Sequence, residues 1–139
     1  MAHPDLNRLL EAMTPLSKRL LDEFGDFLPY GAFMKLDGTI VDCAVSGEEE
    51  HPPSKELIQA LTLDFQKRAA KGEIRAAGIC CDVKVATPEN PEKTDAVQFA
   101  LEHRNGEAVD VFLPYDLDSS GEVVYGEMFA TQRDKRFFR

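Results

Sequence analysis

His103 and Asp110 are the two side chains in this sequence best suited to acid–base chemistry. They flank Asn105-Gly106, a dipeptide typical of a two-residue β-hairpin turn, within the stretch DAVQFALEHRNGEAVDVFLPY. A two-residue turn places His103 opposite Ala108 and diagonally across from Asp110 on the same face of the sheet. A carboxylate there would orient the imidazole as a general base, although no nucleophile accompanies the pair. The alternative is a weak ion pair at the end of a strand.

The other reactive side chains form no motif for metal binding or nucleophilic catalysis. Cys80 and Cys81 are adjacent in a predicted strand, so their side chains point to opposite faces and cannot chelate one metal ion. We interpret them as small buried apolar residues, and Cys43 likewise. His51 follows Glu48–Glu50 in a proline-flanked loop that fixes no coordination geometry, and neither GxGxxG nor GxxxxGK occurs. We therefore predict no catalytic residue, no metal site and no cofactor.

The composition limits the class of protein and of partner. The chain has 139 residues, enough for one domain with a substantial core, and its net charge of −9 argues against nucleic acid, which requires a basic surface. The same acidity either keeps the protein soluble or favours a basic protein partner. No apolar run approaches the roughly 20 residues that span a bilayer, no secretory signal is visible, and three cysteines are too few for a disulfide framework. We therefore expect a cytoplasmic protein that binds no membrane.

Hydrophobic periodicity and turn residues divide the chain into helices and strands. The first helix runs from about Asp5 to Phe24 and continues through Pro15 with a kink, because its apolar stripe keeps its phase across the proline. The remaining elements are a hairpin of Gly31–Leu36 and Thr39–Val45 around Asp37-Gly38, a loop Ser46–Pro53, a helix from Ser54 to Gly72, a strand Ile74–Val85, a loop Thr87–Thr94, the hairpin Asp95–Tyr115 and a last strand Glu122–Ala130. Small residues on one side of Ile74–Val85 indicate a central strand beneath another layer. The terminus around His3 is expected to be mobile, and the tail Thr131–Arg139 to be frayed unless its two phenylalanines dock.

These elements indicate an α+β fold of two layers, in the order α-β-β-α-β-β-β, with one antiparallel sheet of five or six strands and two helices on one face. Residues 1–130 form a single domain, followed by the tail 131–139. The predicted pairing of the Asp95–Tyr115 hairpin makes both faces of the sheet apolar. One face would carry Val97, Phe99, Leu101 and Phe112, and the other Ala100, Val109, Val111 and Leu113. We expect the helices to cover one face, and the C-terminal segment or another subunit to cover part of the other.

The element order resembles that of the profilin-like and roadblock-like folds, in which one antiparallel sheet has the strand order 2-1-5-4-3. The segments GAFMKLDG, IRAAGICCDVKV and LEHRNGEAVDVFLPY are also similar to segments of short bacterial proteins of unassigned function. They carry no catalytic motif and therefore transfer no site residues. The fold resemblance implies that the two FLPY segments, Phe27–Tyr30 and Phe112–Tyr115, meet at one end of the sheet. Tyr30 and Tyr115 would then line a small binding site; the alternative is that each proline only marks a strand end.

These observations favour a non-enzymatic protein-interaction or regulatory module that forms a homodimer. The support is the missing catalytic constellation, together with apolar area on the sheet that two helices cannot cover. One sub-case is an immunity-type protein that neutralises a basic toxin, because acidity speeds association with a basic partner. The alternative is a small-molecule sensor or small enzyme with a pocket between the helices and the sheet, lined by Tyr30, Tyr115, His103 and Asp110.

Overall fold

Two helices and seven strands make up the described part of a computed structural model, which covers residues 3–25, 27–43, 54–86 and 92–138. In chain order the elements are α1 (Pro4–Phe24), β1 (Tyr30–Lys35), β2 (Ile40–Cys43), α2 (Ser54–Ala70), β3 (Ile74–Ala86), β4 (Lys93–His103), β5 (Ala108–Leu117), β6 (Val123–Tyr125) and β7 (Phe129–Gln132). The predicted α+β class and element order are confirmed. Among the described residues the sheet has seven strands instead of the predicted five or six, because the segment predicted as one last strand forms β6 and β7. The acidic loop with His51 lies outside the described residues. None of the described helices is long and apolar enough to cross a membrane.

Sequence signals at both ends set the length of α1. Pro4 lies in the first turn, where a backbone N–H has no partner within the helix, so the missing N–H of proline costs no hydrogen bond. His3 caps the helix by accepting a hydrogen bond from the Asp5 N–H. Gly25 ends the helix in the left-handed conformation, with a φ of 78°. The helix passes through Pro15 as one element, which confirms the prediction from its unbroken apolar stripe.

The strands form one antiparallel sheet in the order β2-β1-β3-β4-β5-β6, and β7 continues the outer edge beside β5. The strand order 2-1-5-4-3, implied by the fold resemblance, is wrong for this chain. β3 rather than β5 pairs with β1, and Tyr30 lies opposite Cys80. β3 can take this central place because one side of it is small: a Cβ added at Gly78 would lie 3.1 Å from Sδ of Met13 in α1.

Both glycine hairpins have three-residue loops instead of the predicted two-residue turns. Gly106 has a φ of 102°, whereas Asn105 keeps a negative φ, since no non-glycine residue in the described chain has a positive one. A primed two-residue turn needs a positive φ at both positions, but a type I turn followed by a left-handed glycine needs it only at the glycine. The extra residue shifts the pairing by one, so that Phe99 lies opposite Val111 rather than Phe112.

The same shift occurs at Gly38, whose φ is 92° in the loop between β1 and β2. Lys35 and Thr39 close that loop through a backbone hydrogen bond, so Phe33 lies opposite Val41. Directly opposed residues share a face of the sheet, so a shift of one residue changes which side chains lie together. The prediction of shared faces in the Asp95–Tyr115 hairpin was therefore wrong, and the hairpin around Asp37-Gly38 shows the same one-residue shift. We call the end of the sheet that carries these two loops the loop end, and the opposite end the far end.

The two helices cover opposite faces of the sheet, which corrects the prediction of two layers with both helices on one face. α1 packs on what we call the first face, in a core made of Leu6, Leu9, Met13, Leu21, Tyr30, Ala32, Met34, Ala76, Cys80, Val97, Phe99, Leu101, Val109, Val111, Leu113 and Tyr115. α2 packs on the second face, in a smaller core made of Phe33, Leu61, Phe65, Ile74, Ala77, Ile79 and Phe137. Alternation along β1 and β3 gives each face an apolar set of its own, and each set takes one helix.

The residues after β7 dock across the second face instead of fraying. The Arg133 N–H bonds to the carbonyl of Ala108, which carries the chain past the end of β7. Phe137 is only 1% exposed and packs edge to face on Phe65 of α2, with the ring centroids 5.3 Å apart. α2 and the C-terminal segment therefore cover the loop end of the second face. This confirms the C-terminal segment as one cover of that face.

Candidate functional site

His103 lies at the loop end of β4 and points into the first face beneath the start of α1. Its side chain is only 7% exposed, and its Nε2 lies 2.9 Å from Oδ2 of Asp5. The other ring nitrogen, Nδ1, accepts a hydrogen bond from the Asn105 N–H at 3.1 Å. Because a backbone N–H can only donate, the neutral imidazole carries its hydrogen on Nε2 and donates it to Asp5. Both ring nitrogens of this candidate base are therefore engaged.

Asp5, in the first turn of α1, receives hydrogen bonds from two distant parts of the chain. Nη2 of Arg75 donates to Oδ1 at 3.1 Å, and His103 donates to Oδ2. Burial alone would raise the pKa of Asp5, but the hydrogen bond from His103 and the charge of Arg75 outweigh it, so the pKa lies below its ordinary value. The N-terminal end of the helix dipole also favours the ionised carboxylate. Asp5 is therefore the charged centre of this group.

His3 completes the group, although the sequence predicted a mobile N-terminus there. Its Nδ1 accepts the Asp5 N–H at 3.0 Å, and its ring stacks on that of His103 with the centroids 4.0 Å apart. Its backbone N–H donates to Oε2 of Glu107 at 2.7 Å. The last two of these contacts tie His3 to the β4–β5 hairpin. We call His3, Asp5, Arg75 and His103 the helix-end cluster.

The helix-end cluster contains a possible set of metal ligands, since one ligand atom from each of His3, Asp5 and His103 lies within 4.8 Å of the others. Two imidazoles and a carboxylate suit Zn²⁺ and related transition metals. The arrangement does not favour metal binding, because the carboxylate of Asp5 already forms an ion pair with Arg75. The ring nitrogens are also occupied, since Nδ1 of His3 accepts the Asp5 N–H and both nitrogens of His103 are in hydrogen bonds. The cluster is best described as a hydrogen-bonded network around one ion pair.

Asp110 does not meet His103. The pairing of β4 with β5 places Asp110 opposite Ala100 on the second face, whereas His103 lies opposite Ala76 on the first. The predicted diagonal pair is therefore wrong, and the cause is the one-residue shift at the hairpin loop. Asp110 lies instead beside Arg133, with Oδ1 3.2 Å from Nε. The two groups are in ionic contact without the alignment of a hydrogen bond.

Glu102 holds the C-terminal segment from within the second face. Its side chain is fully buried, and its carboxylate accepts four hydrogen bonds, from Nη1 of Arg133 at 3.2 Å and from the backbone N–H groups of residues 136–138 at 2.6–2.7 Å. Desolvation lowers the pKa of Arg133, while the charges of Asp110 and Glu102 act in the opposite direction. We call Glu102, Asp110 and Arg133, with these three amides, the tail anchor. Its bonds are charge-assisted and mostly to backbone, which indicates a structural role.

Tyr30 and Tyr115 are not brought together, because β3 and β4 lie between β1 and β5. Their backbones are separated by three strand spacings, roughly 14 Å. The Tyr30 hydroxyl donates to the carbonyl of Met13 at 2.7 Å, and burial, followed by the nearby Cys80 thiol, raises its pKa. The Tyr115 hydroxyl donates to Oδ1 of Asp82 at 2.7 Å. Each tyrosine therefore binds a different part of the chain.

The three cysteines are free thiols. Cys80 points into the core under α1, whereas Cys81 points to the second face, where its thiol lies 3.5 Å from Oε1 of Gln98. Burial raises the pKa of both thiols, that of Cys81 to about 11, and it raises the pKa of Cys43 as well. These thiols stay protonated at neutral pH. The prediction that adjacent cysteines point to opposite faces and act as small apolar residues is confirmed.

Sequence reasoning missed most of the partners that build these networks. Asp5 lies 98 residues from His103 and 70 from Arg75, and no local pattern links positions so far apart. Glu102 gave one usable signal, because it is an acidic residue inside a strand whose neighbours on both faces are apolar. A buried carboxylate needs donors, so this position called for a partner outside the hairpin.

The predicted site residues thus belong to separate contacts on the two faces of the sheet. His103 lies in the helix-end cluster and Asp110 in the tail anchor, while the two tyrosines donate to Met13 and Asp82. In comparisons with known proteins, no family model, no curated protein and no solved structure matches the chain.

Proposed function

We propose that the protein is a non-enzymatic interaction module that forms a homodimer through the far end of the second face. The observation that carries this proposal is an apolar region of the sheet beyond the reach of α2. The core under α2 uses β3 only from Ile74 to Ile79, whereas β3 continues to Ala86. We call the region beyond it the neutral patch. Its side chains share the second face and are Val83, Val85, Phe112, Pro114, Val124 and Phe129.

The neutral patch keeps a substantial part of its apolar area exposed. Val124 is 53% exposed, and the stacked rings of Phe112 and Phe129, with centroids 5.1 Å apart, are only half-buried. Val83 and Val85 are half-buried as well. Covering apolar area contributes about 25 cal/mol per Å², and contiguous apolar patches commonly mark interaction sites. A partner that covers these side chains would therefore bind with a favourable hydrophobic contribution.

A second copy of the chain is the partner that this patch suits best. Two copies each carry a net charge of −9 and repel each other, and an uncharged surface lets them approach without added local repulsion. The six side chains of the neutral patch are all uncharged, and one acidic residue, Asp116, lies opposite Val124 at its margin. A basic partner, such as the toxin of an immunity-type pair, would instead be drawn to acidic side chains. The neutral patch therefore favours self-association over the basic partner.

The use of the candidate chemical groups also supports a non-enzymatic role. His103 has both ring nitrogens in hydrogen bonds, and Asp110 is in contact with Arg133. A general base must have a free position within hydrogen-bond reach of its substrate. The three free thiols, together with the resemblance to short bacterial proteins, support a location in a bacterial cytoplasm, where glutathione keeps cysteines reduced.

The experiment is to measure the mass of the protein in solution by light scattering at tens of micromolar, for the wild type and two charge-introducing variants. We expect the wild type to have twice the mass of a single chain. Val124→Glu places a charge in the neutral patch and should give a monomer, because an unpaired charge in an apolar interface is costly. Leu63→Glu is the matched control, since Leu63 is 58% exposed on α2, outside the patch, and should remain dimeric.

Two results would contradict the proposal. A wild type that is monomeric at these concentrations excludes the homodimer. A dimer that persists in Val124→Glu but is lost in Leu63→Glu would move the interface to the exposed side of α2.

A further inference from the structure

A cleft at the loop end of the second face lies between the end of α2 and the docked C-terminal segment. It encloses about 410 Å³, within the range of roughly 300–1,000 Å³ that is usual for small-molecule sites. Ala69 and Ala70 form one wall, and Phe137 and Phe138 form the other. These walls are apolar, and none of the four predicted site residues is among them. The cleft is therefore a different place from the predicted pocket.

Two cations are among the residues that line this cleft. Arg104, from the β4–β5 loop, and Lys135, from the C-terminal segment, both line it and both are exposed. Neither forms an ion pair within the described part of the chain, and none of the described lining residues is acidic. The whole chain carries a net charge of −9, so the charge at this cleft is opposite in sign to that of the chain. Two unpaired cations beside apolar walls attract an anion with an apolar body.

The walls of the cleft are held in place before any ligand enters. The amides of Phe137 and Phe138 bond to the buried carboxylate of Glu102. Gln66, which also lines the cleft, donates from Nε2 to the carbonyl of Arg136 at 2.7 Å and so links α2 to the C-terminal segment. A site that is already formed loses little conformational entropy on binding. The tail anchor therefore serves to shape this cleft.

We propose that the cleft binds a small organic anion that consists of one carboxylate on an aromatic or aliphatic body. The carboxylate would lie between Arg104 and Lys135, where the planar guanidinium of Arg104 can bind it through two parallel hydrogen bonds. The body would lie against Phe138 and the two alanines. This proposal does not depend on the homodimer, because the neutral patch is at the far end of the same face and shares no residue with the cleft.

One feature of the fold opposes an anion at this position. The last turn of α2 ends beside the cleft, and the C-terminal end of a helix carries a partial negative charge. The carbonyl groups of Lys67, Arg68 and Ala69 are occupied, however, because they accept hydrogen bonds from the backbone N–H groups of residues 71–73. The two lining cations carry full charges, so they outweigh this partial charge.

The test uses phenylpropionate as the ligand and two-dimensional amide NMR of the full chain as the readout. We expect saturable shifts at the amides of Gln66, Ala69, Ala70 and Phe138. The uncharged analogue phenylpropanamide should bind at least about tenfold more weakly, and the double variant Arg104→Gln/Lys135→Gln should weaken phenylpropionate by a similar factor. Both substituted side chains are exposed, so the variant should fold, and its spectrum shows directly whether it does. Lys55→Gln, at the exposed start of α2, is the control and should bind as the wild type does.

The proposal is overturned if phenylpropionate leaves the lining amides unshifted, or if the double variant binds it as well as the wild type. It is also overturned if the amide analogue binds equally well, because charge then plays no part. A peptide with a C-terminal phenylalanine is the remaining comparison. Binding of this peptide without binding of phenylpropionate would replace the small anion with a protein partner.

Discussion

Glu102 and His103 are neighbours on β4, yet they belong to two polar networks on opposite faces of the sheet. Each network consists of a carboxylate and an arginine, Glu102 with Arg133 in the tail anchor and Asp5 with Arg75 in the helix-end cluster. They differ in their other donors. Glu102 accepts three backbone N–H groups, whereas Asp5 accepts only side-chain donors, from His103 and Arg75.

This difference separates a structural network from one that can change. Backbone donors cannot leave Glu102 unless the C-terminal segment detaches, and its fully buried carboxylate has no water to replace them. The side chain of Asp5 keeps 14% of its surface exposed, and its donors are side chains that can rotate away. The tail anchor should therefore dominate stability, while the helix-end cluster should respond to pH.

Glu102→Gln is expected to have the largest effect, a loss of about 3 kcal/mol in the free energy of unfolding. The amide that replaces one carboxylate oxygen is a donor, so it would face backbone N–H groups that also donate, and Arg133 would lose its ionic partner. Urea denaturation at neutral pH measures this loss. Glu122→Gln, an exposed position in the turn before β6, is the control and should change stability by less than about 0.5 kcal/mol. Equal losses in the two variants would show that the tail anchor adds nothing.

Asp5→Asn should cost less, about 1.5 kcal/mol, because the asparagine keeps one oxygen for a hydrogen bond and the site is partly hydrated. It removes the charge that Arg75 pairs with, and it places an amide donor against the Nε2–H of His103. The same denaturation experiment measures the effect. Glu11→Gln, on an exposed part of α1, removes one negative charge without a described partner and serves as the control. A loss as large as that of Glu102→Gln would contradict the distinction between the two networks.

The stability that Asp5 contributes should also disappear in acid. Its pKa is lowered in the folded protein from an ordinary value of 3.8, so the contribution is fully present above that value and is lost as the pH falls through the folded pKa. The difference in unfolding free energy between the wild type and Asp5→Asn should therefore be constant from pH 7 to about pH 5 and shrink below about pH 4. Urea titrations at several pH values measure it. A difference that is as large at pH 3 as at pH 7 would show that the charge of Asp5 is irrelevant.

The elements of the fold were predictable because their signals are local. The apolar stripe of α1, its end at Gly25 and the long β3 each follow from periodicity and turn residues over a few positions. The distribution of residues between the two faces was not predictable in this way. It depends on whether the loop at Asn105-Gly106 has two or three residues. Both kinds of loop can have a glycine at this position, so the sequence does not distinguish them. One residue in a loop decided the partner of His103.

The candidate site was less predictable than the fold. His103 was identified from its type and place, but its partner Asp5 was not, because the contact joins positions 98 residues apart. The strand order implied by the fold resemblance was also wrong, since it placed β5 beside β1. Tyr30 and Tyr115 were expected together for that reason, and β3 and β4 separate them. Long-range contacts follow from strand order, which the sequence pattern leaves open.

The smallest effects on stability are expected in the β4–β5 loop, whose length sets which residues of β5 lie opposite Glu102 and His103. Gly106→Ala should cost about 1 kcal/mol, because Gly106 has a φ of 102° and a Cβ there meets nothing within 4 Å, so the cost comes from the backbone alone. Asn105→Ala should cost only about 0.5 kcal/mol, since Asn105 keeps a negative φ and loses one exposed hydrogen bond to the Glu107 N–H. A two-residue primed turn would require a positive φ at both positions, so both substitutions would then be equally costly in urea denaturation. That result would mean that the predicted register is correct and that His103 and Asp110 lie on one face. The two networks would then not be separated by the sheet.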